Sequence, residues 1–405
     1  MKLHSRTIAP RRWLVLSSGL LVVGVFVACA DSNAGDPKDP DASSDVAPGS
    51  DGGGADGDVV EADAESDADA GQRICSDDGF CHTVVPPKQT LLTVWADGHG
   101  VAWAGTKTGE ILRWDGKTWG VHAKGLGTIA SIWGASPTEI WAVGTGGIHQ
   151  GTGSTSETVT FTSNELPGEG DVVLEAVWGS GPNDVWVVGS RVDGVMPSGR
   201  VYRFEGATTD AGTAQWMIDP ASWEGDRFHR VWGSPGSGVW LVCTRTIDNV
   251  TRHHVIRRPV GAKGFQDVEF PPFIVPGYPK AFPANVYAAA IADNQVWLGA
   301  MTDQYQFAFY RGVSSDNGAS FDWTIWPYSR DQYESEYAAL AVSPTEVWAA
   351  GGYGRLRTWD GKRFIQSAIS VKRNVPVTAD FFGLWTSNGE VWAVGEGVAL
   401  HRAKK

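Results

Sequence analysis

The side chains best suited to recognition or acid–base chemistry are concentrated in the middle of the chain. Trp223, Glu224, Asp226, Arg227, His229, Arg245, Arg252, His253, Tyr278, Tyr305, Tyr328, Asp331 and Tyr333 lie in or beside stretches rich in turn formers, among them "DPASWEGDRFH", "TRTIDNVTRHH", "PPFIVPGYPKAFPAN" and "PYSRDQYESE". Aromatic and charged side chains on loops held by a rigid scaffold are the usual makings of a binding site. The plain alternative is a set of solvated insertions with no ligand. Signs of bond-making chemistry are few. The sequence contains no G-x-S-x-G, H-E-x-x-H or P-loop pattern, and "GTGGIHQGTG" at 144–153 is followed by no helix that could hold a phosphate. His253 and His254 are adjacent, and neighbours on a strand point to opposite faces, so they do not share a metal. An exposed loop is expected for them, and no cofactor or metal is assigned.

The elements that must hold these residues are announced by tryptophan. A Trp recurs in seven similar stretches, as Trp103, Trp141, Trp186, Trp240, Trp297, Trp348 and Trp392. In five of them a second Trp precedes it, at Trp95, Trp133, Trp178, Trp232 and Trp385; Ala289 and Leu340 take its place in the other two. Between the two stand Gly, Pro, Asn, Asp and Ser, so each unit reads as two short strands and a tight turn. "GEILRWDGKTW" and "GRLRTWDGKRF" add a third strand, a turn and a fourth. Strands apolar on both sides, such as Val185-Trp186-Val187-Val188, are covered on both faces. The expected fold is all-β: a seven-bladed β-propeller of four-stranded antiparallel blades over residues 73–405. The last unit has room for only three strands. Residues Cys81–Val85, ahead of the first unit, are expected to supply the fourth and close the ring, with a Cys75–Cys81 disulfide pinning that strand. Cys243, inside "VWLVC", reads as a small buried hydrophobe. A four-strand meander sends the second-to-third turns and the blade connections to one face. There the long loops of blades three to six should gather the candidate residues.

The chain's net charge of −13 excludes the basic footprint of a nucleic-acid binder. Residues 1–28 carry four basic groups and no acid, and the uncharged run Trp13–Ala28 follows them, a secretory signal in pattern. "VFVA" before Cys29 resembles the lipobox of bacterial lipoproteins. That resemblance implies cleavage before Cys29 and a lipid on its sulfur; a plain signal that happens to hold a cysteine is the competing reading. Residues 29–72, Asp-, Gly- and Ala-rich with thirteen acids and one lysine, cannot bury enough surface to order themselves and should form a disordered acidic tether. The expected address is the cell envelope, in or on the outer membrane, with the membrane reached through the lipid anchor.

Ser314–Phe321, "SSDNGASF", fits S-x-D-x-G-x-x-F and resembles the Asp-box turn of sialidase-like BNR-repeat propellers. In that family the box is a structural turn. The arginine triad, nucleophilic Tyr and acid of a sialidase cannot be assigned here. The expected function is therefore non-catalytic binding or assembly, with an envelope or extracellular protein or glycan as partner. A glycan-active hydrolase or lyase of sialidase-like architecture is the alternative.

Overall fold

The computed structural model describes residues 75–404, apart from 169–170, 192–197, 207–214, 224, 248–249, 275–278, 328–336, 368–369 and 373–374. The signal, the tether and Cys29 lie outside the described residues, as do Glu224, Tyr278, Tyr328, Asp331 and Tyr333. Seven four-stranded antiparallel sheets form a ring, the expected seven-bladed propeller. From blade one to blade seven, the innermost strands are Leu91–Ala96, Ile129–Ser136, Val172–Gly181, Arg227–Ser234, Pro283–Ala292, Tyr337–Val342 and Phe381–Ser387. Among the described residues, no helix is long and apolar enough to cross a membrane.

Blade seven is completed from the N-terminal side. Phe80–His82 pairs with Ala399–Arg402 in the register Phe80↔Arg402, Cys81↔His401, His82↔Leu400. The ladder is shorter than the expected Cys81–Val85. Thr83 still donates its N–H to Ala399 O at 2.9 Å, but Val84 has already turned to bridge Thr118 of blade one. The Trp119 indole donates to Thr83 Oγ1 at 3.0 Å, which draws the chain to that side. Cys75 and Cys81 are disulfide-bonded, and Phe80 is fully buried with its ring edge-on to Trp348 at 5.0 Å.

The tryptophan pairs have a clear packing logic. Where two occur, they face each other across the first two strands, as in Trp95↔Trp103 and Trp178↔Trp186. The Trp of the second strand is at most 2 % exposed in all seven blades. In blades one to three the first ring reaches forward onto the next blade, at the glycine that follows that blade's own first Trp. A Cβ on Gly134 would lie 2.8 Å from the Trp95 ring, one on Gly179 2.5 Å from Trp133, and one on Gly233 2.8 Å from Trp178. The recurrent Trp-Gly step therefore records blade-on-blade contact. Blades five to seven tighten the first hairpin by one residue. Asn388 and Gly389 both have positive φ, the conformation that two-residue hairpin turns require. One consequence is a correction: the residues facing Trp297 and Trp348 are Ala290 and Ala341, not Ala289 and Leu340.

Three of the third-to-fourth strand turns are each shaped by one aspartate. Asp115 accepts the N–H of Lys117 and of Thr118 at 2.7 Å each, and Asp360 does the same for Lys362 and Arg363. In the Ser314–Phe321 turn, Asp316 accepts from the N–H and Oγ of Ser320 and from Ser314 Oγ, which hold its carboxyl well below the usual range. Those bonds occupy the carboxylate in shaping the turn.

Candidate binding face at the channel mouth

The seven innermost strands surround an axial cavity of about 300 Å³. Every one of them carries a β-bulge at the same place, three residues before the first-Trp position. The bulged residues are Leu92, Ala130, Glu175, His229, Tyr287, Ala338 and Phe382. A bulge re-aims its side chain, and six of these seven, all but Tyr287, line the cavity. The ring is lopsided. Leu92, Ala130, Ala338 and Phe382 are apolar, whereas blades three, four and five contribute Glu175, His229 and Tyr287 in succession.

A cluster of polar contacts surrounds this second half. Glu175 pairs with Arg227 at 2.8 Å. His229 Nε2 lies 2.6 Å from Thr244 Oγ1, and its ring stacks on that of His253 at 5.1 Å. The Val286 N–H donates to His253 Nδ1 at 2.9 Å, which fixes that nitrogen as an acceptor. Arg230, also on the channel wall, donates to the carbonyl oxygens of Tyr287 in blade five and Ala338 in blade six. Arg252 lies 3.6 Å from Asp303 on the neighbouring blade's turn. Burial, reinforced by His253, Arg227 and Arg230, lowers the His229 pKa to about 4. Burial lowers that of His253 as well and brings Arg230 down to about 10. Near neutral pH the mouth thus holds two neutral imidazoles beside two guanidinium groups and one carboxylate.

A second recess, of about 350 Å³, lies farther out and includes Asp219, Trp223, Arg245, Lys263, Phe265 and Asp267 in its lining. Trp223 is 65 % exposed, and its backbone exchanges two hydrogen bonds with Gly199 of blade three. Asp226 is almost fully buried and takes a forked ion pair from Arg245, at 2.8 to 3.1 Å. Cys243, fully buried nearby, has its thiol pushed up to about 12 by that burial and behaves as core.

The candidate residues that the structure describes therefore separate into three sets. Arg227, His229 and His253 converge at the channel mouth. Trp223 and Arg245 line the outer recess, and Asp226 holds Arg245 by their ion pair. Tyr305 stands alone on the second-to-third turn of blade five, 83 % exposed. Arg252 ties the mouth to blade five. His253 and His254 are not in an exposed loop: both sit in the strand Val250–Arg258, half-buried. "TRTIDNVTRHH" is a long hairpin whose Thr, Ile and Val residues favour strand, so the stretch that reads as a loop is mostly ladder. The long connections also extend beyond the middle of the chain, since a small two-stranded ladder, Ser370–Lys372 with Val375–Pro376, joins blades six and seven.

Glu175, Arg230 and Thr244 escaped sequence reasoning. Their signal was nevertheless present: "LEAVW" and "HRVW" place charge or imidazole where the other inner strands have neutral residues. Among the described residues, no group of three or more His, Cys, Asp or Glu is arranged to hold a metal ion.

No protein-family model matches the chain, and no curated protein matches it by sequence. Solved structures do resemble it. The extracellular domain of the hybrid two-component system BT4673 from B. thetaiotaomicron is 12% identical, with a TM-score of 0.54 over 80% of this chain and 39% of that one. The corresponding domain of BT3049, from the same organism, is 12% identical, with a TM-score of 0.53 over 80% of this chain and 41% of that one. This chain spans about two fifths of the length of those proteins. YCF48 bound to D1 peptide is 14% identical, with a TM-score of 0.54 over 82% of this chain and all of that one. At these identities the likeness is one of fold.

Proposed function

We propose that the protein is a non-catalytic binding propeller that holds a protein partner on the long-loop face of blades three to five. The observation that carries this reading is the lopsided bulge ring. Seven geometrically equivalent positions differ in chemistry only on that side, and there Arg227, Arg230, Thr244 and His253 support them. One carboxylate, Glu175, lines the described channel, and it is tied to Arg227. Glycoside hydrolysis in its usual form needs two carboxyl groups flanking the bond. Binding is therefore preferred to the glycan-active reading. A panel of fluorogenic glycosides and a glycan array, run on the full chain, test the choice. No turnover is expected, and hydrolysis lost on Glu175→Gln would overturn it.

We further infer export and anchorage. The Cys29 context, the acidic stretch after it and the Cys75–Cys81 disulfide support an oxidising compartment and a lipid-held N-terminus. The likeness to extracellular domains is consistent with that address. Cys29→Ala should move the protein from the membrane fraction to the soluble one; unchanged membrane attachment would contradict the anchor.

A further inference from the structure

The lopsided ring also specifies a ligand chemistry. We propose that the blade-three-to-five side of the channel mouth receives a carboxylate from an acidic segment of a protein partner, and that His229 takes up a proton as it binds. This deepens the function proposed above and rests on it.

Three observations converge. The first is charge. Residues 227–267 of blade four carry seven Arg or Lys against two Asp, while the propeller sequence as a whole, 73–405, is slightly acidic. At the mouth itself, Arg227 and Arg230 face the single carboxylate of Glu175, leaving one positive charge unmatched.

The second is preorganisation. Arg230 is held by the carbonyls of Tyr287 and Ala338, neutral acceptors that leave its charge uncancelled. His229 is fixed by Thr244 and by the His253 ring. A protonated imidazole donates from both nitrogens. With Nε2 directed to Thr244, Nδ1 becomes a second donor for an incoming carboxylate oxygen.

The third is the apolar half of the ring. Leu92, Ala130, Ala338 and Phe382 offer a wall for the methylene groups that carry a side-chain carboxylate.

The proton coupling follows from the surroundings. The groups that bear on His229 are His253, Arg227 and Arg230, with Glu175 paired to Arg227; His253 in turn faces Arg230 and His254. Three of those neighbours are basic, and together with burial they keep the free imidazole neutral. A carboxylate placed among them reverses the balance and favours imidazolium. Linkage then requires the ligand to bind more tightly as pH falls.

The test uses the full chain and end-blocked hexaglutamate, titrated calorimetrically at pH 7.5 and 5.0 at constant ionic strength. We expect the affinity to rise about tenfold at the lower pH, which corresponds to an upward shift of about two units at His229. His229→Gln should lose the rise between pH 7.5 and pH 5.0. Arg227→Gln, on the exposed rim, should weaken binding at least fivefold at both values. Lys117→Gln, an equal charge loss on the opposite face, should change nothing. Affinity independent of pH, or a rise that persists in His229→Gln, overturns the proton coupling. Failure of hexaglutamate to bind at either pH overturns the carboxylate site. In that case, a partner still photo-cross-linked from the long-loop face would leave the binding-propeller reading intact, and loss of both would remove it.

Discussion

The two ends of the channel obey different rules. At the short-turn end, the first Trp of one blade covers a glycine of the next, and blades one to four repeat the arrangement. At the long-loop end, all seven blades share a bulge, yet the residue it presents changes from Leu and Ala to Glu, His and Tyr. The first end is shaped by the need to fill identical wedges between blades. The second keeps the backbone device and varies the chemistry. Packing makes the repeats alike, and departures from likeness at a fixed geometry mark the surface with a separate task.

The comparison can be broken most strongly at the seam. A chain beginning at Thr90 lacks Phe80, its edge contact with Trp348 and the whole closing ladder. Loss of a buried Phe alone costs about 3–5 kcal/mol, so its melting temperature should fall far below that of a chain beginning at Gln72. Equal melting temperatures would show that the ring does not depend on this strand.

The wedge rule is tested next by Gly179→Ala, whose Cβ would lie 2.5 Å from the Trp133 ring. Overpacking of this kind costs about 1–3 kcal/mol. Gly181→Ala, with nothing within 4 Å of its Cβ, should leave the urea midpoint nearly unchanged. Similar midpoints for the two variants would break the account of the Trp-Gly repeat.

At the other end, stability should depend on pH through His229. Its pKa is about 4 in the fold against an ordinary value of 6.5, so the unfolded chain binds the proton more readily. The stabilisation is fully present above pH 6.5 and is lost as pH falls from there towards 4; the loss is about 3 kcal/mol by linkage. Stability curves of the parent and His229→Gln should converge on acidification by that amount, and parallel curves would contradict the assigned burial.

The smallest stability effect is expected at Trp223. Its ring is largely exposed, so Trp223→Ala should change stability by less than about 0.5 kcal/mol. Partner binding should nevertheless weaken if the outer recess belongs to the same surface as the channel mouth.

Much of this was legible in the sequence, because large rings at fixed spacing have few packing solutions. The seven Trp of the second strands reveal the blade count, and the deficit after Arg402 points to a closing strand near Phe80. The bulge ring was not legible. A bulge is a relation between two strands, and nothing in "LEAVW" alone says that Glu175 turns inward. His229 and His253, twenty-four positions apart, stack only because the hairpin Gly238–Arg258 folds back on the strand that carries His229. The extended hairpin at 244–254 was hidden for the opposite reason: polar Thr, Arg and His residues in a strand look like loop.

The central claim, that partners dock on the long-loop face of blades three to five, is most directly tested by site-specific photo-cross-linking in cells. A benzophenone amino acid at Tyr305 probes that face, and one at Val260 probes the short-turn face; both positions are exposed. The account predicts a discrete cross-linked species from position 305 and none from 260. A species from 260 alone would place the partner on the wrong face and contradict the account.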